Sequence, residues 1–132
     1  MFGKRASKSV TTRQKIGAAI REDKRLKKQT WDHLFMSVGV SDTHAESSGF
    51  VFDGFEWEAA RVGGVDSPLL GLFTDLRQES ATDDRGPWDR CLVRLAKSQK
   101  EPDLTFLWGT EADEWRVTPR TLLLVVEKAR PR

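Results

Sequence analysis

A ten-residue stretch, WDHLFMSVGV at residues 31–40, decides the predicted fold because it alternates as a β-strand does. Side chains two positions apart lie on the same face of a strand. One face of this segment carries Leu34, Met36, Val38 and Val40. The opposite face carries Phe35, Ser37 and Gly39. The sequence therefore predicts a strand over residues 31–40.

Three further segments alternate in the same way on the C-terminal side of this strand. Residues 50–57 form two alternating halves whose phase changes at Asp53-Gly54, which predicts a second strand with a turn or bulge there. Residues 88–95 predict a third strand with Cys91, Val93 and Leu95 on its inward face. Residues 104–108 predict a fourth. Polar segments, 41–49 and 98–103 among them, read as the connections.

Three segments show helical signals. Residues 12–27 place apolar residues at helical spacing behind a Thr cap, and Ser67-Pro68 starts a second helix that ends near Gln78. The apolar segment 122–126 follows Thr118-Pro119, which favours a helix, although Val125-Val126 keeps a strand open. Two helices thus follow Thr or Ser caps with proline. The predicted order is α-β-β-α-β-β-α.

This order predicts an α+β fold, with a single antiparallel sheet of about four strands flanked by helices. The 132 residues match the usual size of one domain. We expect a flexible basic tail at residues 1–10 and a single domain at 11–132. No apolar run approaches the length of a membrane span and no secretory signal is visible, so we expect a cytoplasmic protein without a membrane partner.

Residues typical of catalysis or metal binding are sparse. His33 and His44 have no Cys or carboxylate at zinc spacing, and the single cysteine, Cys91, is expected to be a buried, unreactive thiol. Val62-Gly63-Gly64-Val65 lacks the residues of a phosphate-binding loop and reads as a turn. We therefore expect no enzyme, no metal, no cofactor and no small-molecule substrate.

Charge is distributed unevenly along the chain. Residues 1–28 hold ten lysines and arginines against two acidic residues, a net charge of +8. Residues 29–117 hold eight basic and seventeen acidic residues, a net charge of −9. Such a distribution indicates a macromolecular partner rather than a reaction.

Two binding hypotheses follow from this distribution. The basic segment favours a nucleic-acid-binding module that contacts phosphates through Lys15, Arg21, Lys24, Arg25, Lys27 and Lys28. The acidic stretch favours a face that imitates phosphate and covers a basic surface of another protein. Its charge is expected from Asp53, Glu56, Glu58, Asp83, Asp84, Glu111, Asp113 and Glu114. Trp57 or Trp115 is the expected anchor, because tryptophan is enriched at binding hot spots.

The order of elements and two short motifs resemble the YezG-like (domain of unknown function 600) family of bacterial immunity proteins. The motifs are GPWDRCLVRL at residues 86–95 and EADEW at residues 111–115. The chain differs from that family in having no tyrosine and a basic N-terminal helix. The resemblance implies an immunity protein, or antitoxin, that binds a cognate bacterial toxin and occludes its active site. Such toxins are often nucleases.

Overall fold

The computed structural model describes residues 10–62, 67–81 and 84–131. Residues 1–9 of the predicted tail, the glycine pair at 63–64 and Asp83 lie outside this description. The helices are α1 (Thr12–Arg21), α2 (Leu69–Glu79), α3 (Gly109–Asp113) and α4 (Leu122–Ala129), with a 3₁₀ turn at Leu26–Lys28. The strands are β1 (His33–Val40), β2 (Ala45–Asp53), β3 (Glu56–Ala59), β4 (Arg90–Ala96) and β5 (Asp103–Leu107).

The described strands form one antiparallel sheet in the order β3-β2-β1-β4-β5. The predicted α+β class with a single antiparallel sheet is confirmed. The predicted second strand is instead the hairpin β2–β3, so the sheet has five strands rather than about four. Strand β2 also begins at Ala45, inside the predicted connection 41–49, because Ala45 pairs with Val40 at the end of β1.

The predicted N-terminal helix over residues 12–27 is too long. Helix α1 ends at Arg21, and the side chain of Asp23 then accepts hydrogen bonds from the backbone N–H groups of Arg25 and Leu26. Aspartate that binds the backbone two and three residues ahead favours a turn over a continuing helix. Buried Leu26 therefore reaches the core from a 3₁₀ turn rather than from the predicted helix.

The C-terminal half contains one unpredicted element and resolves one open alternative. Residues Gly109–Asp113 form the short helix α3 where a turn was predicted. The apolar segment that follows Thr118-Pro119 is a helix rather than a strand. The hydroxyl of Thr118 accepts a hydrogen bond from the N–H of Thr121, which supports the start of this helix.

Both faces of the sheet are covered, so every residue of β1 after His33 is buried. The even-numbered residues of β1 belong to one core together with Ile16, Ile20 and Phe73 from α1 and α2. Phe35 belongs to a second core with Phe50, Phe52, Val125 and Val126. The predicted inward face Cys91, Val93 and Leu95 is buried in the first core. Its neighbour Leu92 is buried in the second.

We expect the Cys91 thiol to resist alkylation and disulfide exchange in the folded protein. Its side chain is fully buried, and this burial raises the pKa of Cys91 to about 12, so almost no thiolate forms near neutral pH. Reaction with a chromogenic disulfide at pH 8 should therefore be slow in native buffer. The same reagent should label one thiol per chain at once in denaturant. Fast labelling of the native protein would contradict the packing described here.

An acidic hairpin as the candidate functional site

The hairpin β2–β3 projects an aromatic side chain from its tip. Asp53 pairs with Glu56, which leaves Gly54 and Phe55 as the two loop residues. Gly54 has a φ of 63°, and glycine at the first of two loop positions is typical of type II′ hairpins. Phe55 is 90% exposed, the largest exposed fraction among the large apolar side chains that the structure describes. The turn therefore displays Phe55 to solvent.

Three carboxylates line one face of this hairpin. The register pairs Val51 with Glu58 and Asp53 with Glu56, so these side chains project from the same face of the sheet. They border an open cleft of about 330 Å³. Its other lining residues are Lys28, Gln29, Thr30 and Trp57. The structure thus places four of the predicted binding residues around one cleft: Asp53, Glu56, Trp57 and Glu58.

Gln29 holds this hairpin against the 3₁₀ turn. Its buried amide Nε2 donates to Glu58 Oε1 at 2.7 Å and to the Ala59 carbonyl at 2.8 Å, while its Oε1 accepts from the Arg61 N–H at 2.8 Å. The N–H of Ala60 donates to the Gly49 carbonyl of β2. Because alternate residues of a strand face its partner, the backbone N–H and C=O groups of Ala59 and Arg61 point away from β2. Gln29 therefore binds the free edge of the sheet and positions Glu58.

Asp32 supports the tip of the hairpin from β1. Its Oδ2 accepts from the Gly54 N–H at 3.3 Å, and its Oδ1 lies 2.9 Å from His33 Nδ1. The hydrogen bond from His33, followed by that from Gly54, lowers the pKa of Asp32 below its ordinary value. The carboxylate consequently stays charged at neutral pH and adds a further negative charge at the base of the turn.

Two of the hairpin carboxylates bind no other residue in the described part of the chain. Among residues 10–62, 67–81 and 84–131, neither Asp53 nor Glu56 forms a hydrogen bond or an ion pair through its side chain. Both are exposed. Their charges are therefore available to a positively charged partner at the tip, beside Phe55.

The other predicted acidic residues that the structure describes lie at the opposite end of the sheet. Helix α3 follows the end of β5, where Leu107 pairs with Arg90 of β4. Arg90 in turn pairs with Gly39, near the end of β1. The hairpin tip, by contrast, lies beside the start of β1. Glu111, Asp113 and Glu114 are on or directly after this helix, and Glu111 Oε1 lies 3.9 Å from Arg85 Nη2. Asp84 is exposed in the loop before β4. The described members of the predicted acidic face thus separate into two groups.

Both predicted tryptophan anchors are half-buried and pack against phenylalanine rings of the second core. The ring of Trp115 is half-buried 5.6 Å from that of Phe35 and is covered by Lys128 Nζ at 4.2 Å from its centroid. Trp57 is half-buried with its ring edge-to-face against Phe50 at 5.5 Å. The exposed aromatic residue is Phe55, which sequence reasoning assigned to an alternating strand. The signal for it was Gly54, because a two-residue turn places the following residue at the tip.

The predicted basic helix is not one continuous surface. Arg21 Nη1 donates to the Lys97 carbonyl at 3.1 Å, so this residue is part of the contact between α1 and the β4–β5 loop. Lys15 is exposed on α1. The remaining predicted contacts are exposed around the 3₁₀ turn: Lys24, Arg25, Lys27 and Lys28. Lys28 also lines the acidic cleft, where positive and negative side chains meet.

Comparisons with known proteins leave the site to be interpreted from its geometry. No protein-family model matches the chain, and no curated protein matches it either. Within the described parts of the chain, no three His, Cys, Asp or Glu side chains are arranged to hold a metal ion. The helices that the structure describes are all too short or too polar to cross a membrane.

Proposed function

We propose that this protein is an immunity protein that binds a cationic bacterial toxin through the acidic hairpin and blocks access to the toxin's active site. The observation that carries this proposal is Phe55 at 90% exposure, between the unpaired carboxylates of Asp53 and Glu56. Binding interfaces commonly place an aromatic side chain at the centre and polar groups at the rim. The proposed place of action is the cytoplasm.

Charge complementarity supports a nuclease as the toxin. An enzyme that cuts nucleic acid needs a basic surface to hold phosphates, and carboxylates on a projecting turn complement such a surface. Opposite charge accelerates association and disfavours partners of the wrong sign. The resemblance of residues 86–95 and 111–115 to the YezG-like family favours a toxin over other cationic proteins.

The alternative is a nucleic-acid-binding module that uses the basic 3₁₀ turn. It is favoured by Lys24, Arg25, Lys27 and Lys28, all of which are exposed within five residues of one another. Against it, Asp53, Glu56 and Glu58 border the same cleft as Lys28 and would repel phosphates. We therefore rank it second.

The proposal predicts rescue in a co-expression experiment with the product of the neighbouring gene. That product alone should arrest growth, and the present protein should restore growth and co-purify with it as a complex. The control is the same toxin expressed with an unrelated acidic protein of similar size. Absence of both rescue and complex contradicts the proposal. Retardation of DNA or RNA that disappears when Lys24, Arg25, Lys27 and Lys28 become alanine favours the alternative.

A further inference from the structure

A second pocket lies on the sheet face that is covered by α4. It measures about 250 Å³ and lies between the end of the sheet and the C-terminal end of α4. Cross-strand pairing places Arg94 between Phe35 of β1 and Asp103 of β5, and pairs His33 with Ala96. Polar side chains of adjacent strands therefore line one small space. They are His33, Arg94, Gln99 and Asp103.

The guanidinium of Arg94 is held in place without a hydrogen-bond acceptor. It lies 5.3 Å from the ring centroid of Phe35 and 5.6 Å from that of Trp115, so two aromatic rings fix its position. No side chain or carbonyl in the described part of the chain accepts a hydrogen bond from it. Burial lowers the pKa of Arg94, yet an arginine remains charged at neutral pH. A partly buried guanidinium whose N–H groups bind no acceptor in the described residues can bind an anionic ligand.

Three side chains near Arg94 add further hydrogen-bonding groups to this pocket. Gln99 Oε1 accepts from the Ala96 N–H at 3.0 Å, which leaves its Nε2 without a partner in the described residues. His33 binds Asp32 through Nδ1, which leaves Nε2 on the other side of the ring. Asp103 lies opposite Arg94, and its carboxylate attracts the guanidinium, although no ion pair joins the two side chains in the described structure. The pocket thus offers the N–H groups of Arg94 and Gln99 to an anion. It also offers the Asp103 carboxylate to a hydrogen-bond donor on the same ligand.

We propose that this pocket binds a small organic carboxylate that carries an amino or hydroxyl group on the adjacent carbon. The carboxylate takes the fork of Arg94, assisted by Gln99, and the amino or hydroxyl group donates to Asp103. The volume is below the usual range of ligand pockets, which limits the ligand to a few heavy atoms. Asp103 disfavours a dianion such as phosphate, because two like charges would meet. The site does not include the hairpin tip, so it does not depend on the proposed function.

Nuclear magnetic resonance titration of the full chain with glycine, glycolate and inorganic phosphate tests this assignment. Glycine or glycolate should shift the signals of the Ala96 amide, the Gln99 side-chain amide and the Arg94 Nε–H. The shifts should saturate with a Kd of about 10 mM or less, as expected of a ligand this small. Phosphate should bind at least about tenfold more weakly, a difference of about 1.4 kcal/mol.

Variants of Arg94 distinguish paired hydrogen bonds from its guanidinium to the ligand carboxylate from attraction by its charge alone. Arg94→Gln and Arg94→Lys should each weaken glycine binding at least tenfold, because lysine keeps the charge but loses the fork. Arg120→Gln, at an exposed arginine outside this pocket, should leave binding unchanged. The dispersion of the amide spectrum checks that each variant is folded. Absence of saturable shifts, equal binding of phosphate, or full affinity in Arg94→Lys would each overturn the proposal.

Discussion

Replacing both Asp53 and Glu56 with lysine is expected to weaken the complex with the toxin at least about a hundredfold and to abolish rescue of growth. Close charge pairs across an interface contribute about 1.5 kcal/mol or more each, and two of them correspond to more than a hundredfold in Kd. Lysine at these positions also adds repulsion. Both side chains are exposed and unpaired in the described structure, so the fold should be unaffected. Calorimetric titration against a catalytically inactive toxin measures the loss.

A second double variant with the same change in net charge is the matched control. Asp75→Lys on α2 and Glu101→Lys before β5 replace exposed carboxylates outside the hairpin and should leave affinity within about threefold of wild type, apart from screened long-range effects. Phe55→Ala should cost about 2 kcal/mol of binding, whereas Leu123→Ala, at a residue 67% exposed on α4, should cost little. Equal losses in the two charge variants would show that only net charge matters and would contradict a hairpin site.

Replacing Trp88 with alanine is expected to lower the free energy of unfolding by about 3–5 kcal/mol. The indole is fully buried, stacks on Phe106 with centroids 5.5 Å apart, and donates from Nε1 to Ser80 Oγ at 2.9 Å. It therefore connects the end of α2 with β5, and its removal leaves a cavity and takes away the donor to the Ser80 hydroxyl. Equilibrium denaturation in urea, followed by far-ultraviolet circular dichroism, measures the effect.

Two milder substitutions distinguish the contributions of this residue. Trp88→Phe keeps an aromatic ring against Phe106 but loses the donor to Ser80, and should cost less than the alanine variant. Phe55→Ala should change stability by about 0.5 kcal/mol or less, since its ring is exposed. A loss below about 1 kcal/mol in Trp88→Ala would contradict the packing around the indole.

Much of the sheet could be predicted because alternation within a strand depends only on neighbouring residues. Residues 31–40 and 88–95 showed which side chains share a face, and Cys91, Val93 and Leu95 are buried together. The end of α1 was missed because the apolar spacing continues past it. The helix ends there because the Asp23 carboxylate accepts hydrogen bonds from the backbone N–H groups of Arg25 and Leu26. The sequence predicted a turn or a bulge at Asp53-Gly54 but counted both halves as one strand, because a change of phase in the alternation is compatible with either.

The candidate site could be predicted only where its residues are close in the sequence. Asp53, Glu56 and Glu58 belong to one hairpin, so their closeness in the sequence already places them together in the fold. Glu111, Asp113 and Glu114 are separated from them by the order of strands, which the pattern of a single sequence does not determine. The pocket at Arg94 escaped notice for the same reason, because its polar groups come from β1, β4 and β5.

The amide of Gln29 takes the place that the backbone of a neighbouring strand would occupy beside Ala59 and Arg61. A foreign polypeptide cannot lengthen the sheet there without first displacing a buried side chain. A partner that binds at this edge of the sheet must therefore contact the turn and its side chains rather than add a strand to the sheet. The same contacts disfavour pairing of this edge of the sheet with another copy of the chain.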